Sequence, residues 1–220
     1  MVPGTILRDA WRLYAAHWRH LVPIAFLVYA FVTAVAVVLA FLIGAFALFV
    51  TLAGVFWLQG VLVQAVEDVR DGRADLSIRE TIERVAPRAN VLSVTAILAA
   101  FGIGLGLVLV VVPGLVLLTW WSVIVPAIVL ERAGVFRSFR RSRELVRGNA
   151  WNVFAVIVMT FAVLFVGQLL VALLAAPIDP GWLEVIVASV VSNALFAPFA
   201  AVAWTLTYFR LRELETVPAG

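Results

Sequence analysis

Four stretches of this 220-residue chain carry no charged side chain: residues 21–66, 91–130, 148–178 and 185–209. Apolar runs longer than about 18 residues read as membrane spans. Four of them in one chain leave little room for a water-soluble fold. The first run, 46 residues long, would make a single helix of roughly 69 Å, over twice the thickness of the hydrocarbon layer. It must therefore fold back, and Gly44 is the expected turn. The run 91–130 poses the same problem, and Pro113-Gly114 is the expected break, because proline removes a backbone donor and glycine tolerates a turn. Residues 151–176 and 183–209 are joined through Pro177, Asp179, Pro180 and Gly181. Six spans result, at 21–43, 45–66, 91–112, 114–130, 151–176 and 183–209. The fold class expected is all-α: one polytopic membrane domain over 1–220, with hairpins 21–66, 91–130 and 151–209.

The arginines test the count. All sixteen basic residues are Arg: three in residues 1–20, five in 67–90, six in 131–150 and two in 210–220. The three opposite turns hold none, and the last carries Asp179 with Glu184 nearby. An even number of spans puts every arginine on one side, which the positive-inside rule makes the cytoplasm, together with both termini. Arg8, Arg12 and Arg19 precede an apolar stretch far longer than the 7–15 residues or so of a signal peptide's core, so the first helix is expected to stay.

The segments that carry arginine are themselves patterned. Residues 6–20, 77–89 and 135–147 each read as an amphipathic helix lying in the cytoplasmic interface before a span. In the second, Ile78, Ile82, Val85 and Ala89 form the apolar stripe, and Ser77 with Glu80 matches a capping box. In the third, Val135, Phe139, Ser142 and Val146 line one face. Arg137, Arg140, Arg141, Glu144 and Arg147 line the other. Residues 131–150 hold six Arg against two Glu, and beside an anionic leaflet each basic residue is worth about 1 kcal/mol. Arg137, Arg140, Arg141, Arg143 and Arg147 are thus the candidate contacts for lipid headgroups or a partner protein. Topology anchoring alone is the plainer reading.

Reactive chemistry is hard to assemble. Charged residues make up only 13% of the chain and there is no cysteine, against about a quarter charged in soluble domains. Neither a disulfide framework nor a thiolate metal site can form. The spacing of His17 and His20 matches no zinc motif. Ser122 and the other hydroxyls in the spans lack a base, and no ionisable group lies inside the membrane to couple transport to ions. Glu67 and Asp68 read as solvated charges where span two meets water. A net charge of +3 is too small and scattered for nucleic acid. Gly102, Gly104 and Gly106 follow no strand and lack the dinucleotide-loop spacing. Gly102 and Gly106 instead make a small-xxx-small pair suited to close helix contact. The uncharged polar residues of the spans are Gln59, Gln64, Gln168, Ser192 and Asn193. Their ordinary role is pairing across helices, with Gln168 and Asn193 as the candidates for a polar path. Pro126 and Pro198 are expected to kink spans four and six.

Pro113-Gly114, Trp120-Trp121, Pro126-Ala127, Glu131, Arg140-Arg141-Ser142, Leu145-Val146-Arg147-Gly148 and the ending Thr205-Leu206-Thr207-Tyr208-Phe209-Arg210-Leu211-Arg212 carry a resemblance. The chain resembles the glycerophosphoryl diester phosphodiesterase membrane domain family and its uncharacterised six-span bacterial relatives. The resemblance implies a membrane module that in some proteins precedes a soluble phosphodiesterase domain. That domain needs its own catalytic histidines and metal-binding acids, a set this sequence does not supply, so no activity transfers. The function expected is a non-catalytic protein of the bacterial inner membrane, not an enzyme, without cofactor, meeting anionic lipid at its cytoplasmic face as a lipid-interacting or scaffolding module. The alternative is a passive transporter or channel for a small or amphiphilic solute.

Overall fold

The computed structural model describes residues 2–43, 46–70, 76–175 and 182–216. Among them the secondary structure is helical, with no strand, and six helical segments are long and apolar enough to cross a membrane. Helix α1 (Pro3–Ile43) and α2 (Phe46–Arg70) form the first hairpin. The turn expected at Gly44 lies outside the described residues. Helix α3 (Ile78–Val85) passes through a 3₁₀ turn (Ala86–Arg88) into α4 (Ala89–Leu109). Helices α5 (Val111–Trp120) and α6 (Ile124–Leu130) come next, then α7 (Val135–Val146), α8 (Ala150–Ala175) and α9 (Trp182–Thr216). The turn expected between the last two, around 177–181, also lies outside the described residues.

Each amphipathic segment joins the bundle in its own way. The first is not a separate helix: α1 runs from residue 3 into its span with one non-helical residue, His17 (φ −122°, ψ 18°). Pro23 has no N–H for the Arg19 carbonyl, which loosens the turn beyond that kink. The segment before His17 docks on α9. The Tyr14 hydroxyl donates to the Leu195 carbonyl at 2.9 Å, its ring meets Phe199 edge-on, and Asp9 lies 3.7 Å from Arg210. The second segment starts with the expected capping box. Ser77 Oγ accepts from the Glu80 N–H, and the Glu80 carboxylate accepts from the Ser77 N–H at 2.8 Å. Glu67 and Asp68 take local bonds, from the Gln64 amide at 2.8 Å and the Leu76 N–H at 3.1 Å.

The second hairpin corrects the expected break. Its turn is Val110, extended at φ −154° and ψ 128°, three residues before Pro113. Proline in the first turn of α5 costs no helical bond, because the first four N–H groups of a helix have no partner inside it. Gly114 is used for something other than a turn. A Cβ there would stand 2.6 Å from the Leu107 nitrogen, and one at Gly106 would stand 3.0 Å from the Gly114 Cα. A Cβ at Gly102 would strike the Trp121 ring at 2.7 Å. Gly102 and Gly106 therefore do serve close packing of α4, against Trp121 and against α5, whereas Gly104 faces open space.

Span four does not merely kink at Pro126. It breaks at Trp121-Ser122-Val123, and Pro126 falls in the first turn of α6, where its missing donor again costs little. Pro198, by contrast, sits inside an unbroken α9. Residues 124–128 of α6 are all buried, and Ile124, Val125 and Ile128 join the main core with Leu21, Ile24 and Val28 of α1, Leu58, Leu62 and Val66 of α2, and Phe199 and Val202 of α9. A second cluster (Val123, Leu145, Val146, Val153, Ile157, Tyr208 and Leu211) ties α7 to the first turns of α8 and the last of α9. Between helices in lipid the hydrophobic driving force is lost, so van der Waals packing of small residues must hold them. Ala194, Ala200, Ala201 and Ala203 of α9 supply such a surface.

Candidate functional site

The broken span is completed by α7. Ser142 Oγ donates to the Trp120 carbonyl at 2.7 Å and accepts from the Val123 N–H at 3.3 Å. One side chain thus satisfies a donor and an acceptor that the interrupted helix leaves open. Phe139, one turn earlier, packs edge-on against Trp121 at 4.8 Å between centroids. The expected apolar face of α7 is therefore the docking face, with Ser142 and Ser138 fully buried on it. Ser142→Ala leaves the Val123 N–H and Trp120 carbonyl unpaired, at a cost of about 1–3 kcal/mol. Thermal unfolding in detergent is expected to show that loss for Ser142→Ala and not for Ser138→Ala, whose hydroxyl bonds only locally to the Val135 carbonyl.

The five candidate arginines divide, and one is corrected. Arg141 does not belong to the outer face. Its Nε lies 2.8 and 3.0 Å from the two carboxylate oxygens of Glu131, and its Nη1 and Nη2 bond the two oxygens of Glu215 at 2.7 and 2.8 Å. The Tyr208 hydroxyl donates to the same Glu131 at 2.7 Å. The side chains of Arg141 and Glu131 are only 21% and 19% exposed. Bonding to Glu215 above all, and then to Glu131, pushes the Arg141 pKa up against the pull of burial. Local backbone aims Glu131: α6 ends with the Ala133 N–H on the Ala127 carbonyl at 3.3 Å and Arg132 left-handed at φ 55°, a left-handed residue just past the C-cap that stops the helix. Arg141 is a clamp between α6, α7 and α9.

The other four remain outside. Arg140 pairs with Glu144 at 2.8 Å, one turn along and exposed. Arg137, Arg143 and Arg147 are exposed and make no ion pair among the described residues. The Arg143 guanidinium lies over the Trp120 ring, 4.3 Å from its centroid. Phe136 and Trp151, 82% and 79% exposed, flank this cationic face. Below it, between α5 and α8, an open apolar groove of about 450 Å³ is lined by Val112, Leu115, Val116, Trp120, Trp151 and Phe154 among others.

The polar intramembrane candidates fare differently. Gln168 is exposed on α8 and lines neither the groove between α5 and α8 nor the cavity beside Gln59. Its neighbours along the chain are apolar on every side and mark no face to prefer. Asn193 is half-buried, beside Ser192, whose buried hydroxyl finds no partner among the described residues. A mostly apolar cavity with a few polar groups in its wall lies elsewhere. About 150 Å³ at the break of span four is lined by Phe56, Gln59, Ile103, Trp121, Ser122 and Trp204, with others. The Trp204 indole N–H is buried without a partner there, while Ser122 Oγ donates to the Thr119 carbonyl at 2.9 Å.

A sequence model of the family described as "Domain of unknown function (DUF7847)" matches residues 10–211. The chain belongs to the DUF7847 family. That description names no phosphodiesterase, so of the resemblance drawn from the sequence it is membership of an uncharacterised family that holds. No curated protein and no solved structure matches this DUF7847 chain.

Proposed function

We propose that this chain is a non-catalytic protein of the bacterial inner membrane whose cytoplasmic arginine face holds anionic lipid. Both termini then lie in the cytoplasm, as the distribution of arginine requires. The reading rests on the outer face of α7: Arg137, Arg143 and Arg147 stand there without a carboxylate partner among the described residues, between two exposed aromatic rings. Guanidinium groups beside Trp at the headgroup level suit a lipid phosphate, which takes parallel N–H bonds from the planar fork. Against a catalytic role stand the hydroxyls, such as those of Ser122, Ser142 and Thr205, which bond to backbone carbonyls rather than to a base.

The test is lipid enrichment in nanodiscs of phosphatidylcholine with one quarter phosphatidylglycerol. The wild-type protein is expected to retain phosphatidylglycerol preferentially, less so at high salt. A quadruple Arg137→Gln, Arg140→Gln, Arg143→Gln, Arg147→Gln variant should lose the preference. Equal retention by both proteins would remove the basis of the reading.

A passive path for a small solute is the second reading, and the cavity beside Gln59 and Trp204 favours it. Non-helical backbone at membrane depth is tolerated where protein buries it or it lines a cavity. Flux of small neutral solutes into liposomes should then fall in a Gln59→Leu variant and not in Gln168→Leu. No flux above protein-free vesicles would dismiss it.

A further inference from the structure

We propose that the groove between α5 and α8 is a discrete site for one acyl chain of an anionic lipid, whose phosphate is held by Arg143 and Arg147. The proposal rests on the lipid reading above and narrows it from a charged surface to a single site. Three observations meet there. The groove is apolar along its length, with Val112, Leu115, Val116 and Phe154 on its walls and a volume of about 450 Å³. Trp120 lines it as well, and the Arg143 guanidinium lies over that ring, 4.3 Å from its centroid. Trp151 lines it from α8, three residues after Gly148, whose left-handed φ of 88° turns the chain from Arg147 into α8.

Stacking is what makes Arg143 suited to a phosphate. A guanidinium lying over a ring is attracted through its face, which leaves the N–H edge free for a planar, two-point contact with phosphate oxygens. No carboxylate of the described residues takes that edge. The headgroup and the chain of one lipid thus find complementary chemistry at adjoining places: cations at the mouth, hydrocarbon below. A zwitterionic headgroup would bring its own cation to the same mouth, so the site selects lipids with net negative charge. A neighbouring copy of this chain could cover the groove, but its own matching segment offers the mouth more arginine rather than the anion that it lacks.

The experiment is native mass spectrometry of the full chain released from nanodiscs of phosphatidylcholine with one quarter phosphatidylglycerol. The wild type should carry one phosphatidylglycerol that survives release. Val116→Trp, which fills the groove from a partly exposed position, should abolish that adduct. Arg143→Gln should weaken it about five-fold, the effect of one arginine beside an anionic group. Arg137→Gln with Arg140→Gln should leave the single adduct in place while reducing general enrichment. If Val116→Trp and Arg143→Gln both keep the adduct while the Arg137/Arg140 pair loses enrichment, the groove is not the site and the surface reading stands. If wild type shows no preference for phosphatidylglycerol at all, both fail together. A dimer mass lost on Val116→Trp would assign the groove to a second copy and overturn the proposal.

Discussion

An Arg141→Met protein is expected to lose about 3 kcal/mol of stability, the larger part of what breaking a buried ion pair costs when one partner goes. The substitution keeps a long side chain but leaves Glu131 and Glu215 facing each other with no cation between them. Glu131 is mostly shielded and retains only the Tyr208 hydroxyl as a donor. Four bonds to two carboxylates on different helices disappear at once. Arg141→Lys should fall between the two, since an ammonium keeps the charge but cannot form the fork to Glu215 and still reach Glu131. Arg140→Met is the control. Its exposed pair with Glu144 is worth only about 0.3–0.5 kcal/mol. Thermal unfolding in detergent, followed by tryptophan fluorescence, reads all three. Equal midpoints for Arg141→Met and Arg140→Met would show that the clamp does not hold α6, α7 and α9 together.

Gly114→Val opens the second hairpin. The new Cβ alone would lie 2.5 Å from the Leu107 Cγ and 2.6 Å from its backbone nitrogen. A side chain could swing aside, but a backbone atom moves only with its helix. Over-packing costs about 1–3 kcal/mol where side chains can adjust, and here the loss should reach the upper end or beyond. Gly104→Ala gives the contrast. Nothing lies within 4 Å of its Cβ position, and alanine gains about 1 kcal/mol of helix propensity over glycine. The two substitutions are thus expected to move the unfolding midpoint in opposite directions. A Gly114→Val protein as stable as the wild type would mean that α4 and α5 do not approach as closely as the glycines allow.

These contrasts show where sequence reasoning reaches its limit. The docking face of α7 could be read from its 3.6-residue period, and Ser142 was on it. Arg141 could not be placed, because its partners lie 10 and 74 residues away. A lone charge on a helix is assigned to water until a carboxylate is found facing it. Gln168 is hard to place for the opposite reason. Helix α8 is apolar on every side, so no stripe says which side is inner, and a single amide does not orient it. The break of span four was signalled by Pro126, yet whether a helix bends or ends near a proline depends on what can satisfy the groups that the interruption leaves open. Here Ser142 does so from another helix, and in α9 Pro198 is carried without a break.

What the amino-acid order determined by itself was the partition between lipid and water. Charge-free runs are set by the cost of taking ions out of water, which is large and local, so six spans emerge without reference to any neighbour. Tertiary structure alone decided the turn at Val110, the inward clamp of Arg141, the exposed Gln168 and the groove beneath Arg143. Each of these depends on which face of one helix meets which face of another. In a bilayer that choice is made by close packing and by hydrogen bonds between distant residues, neither of which leaves a periodic mark in the chain.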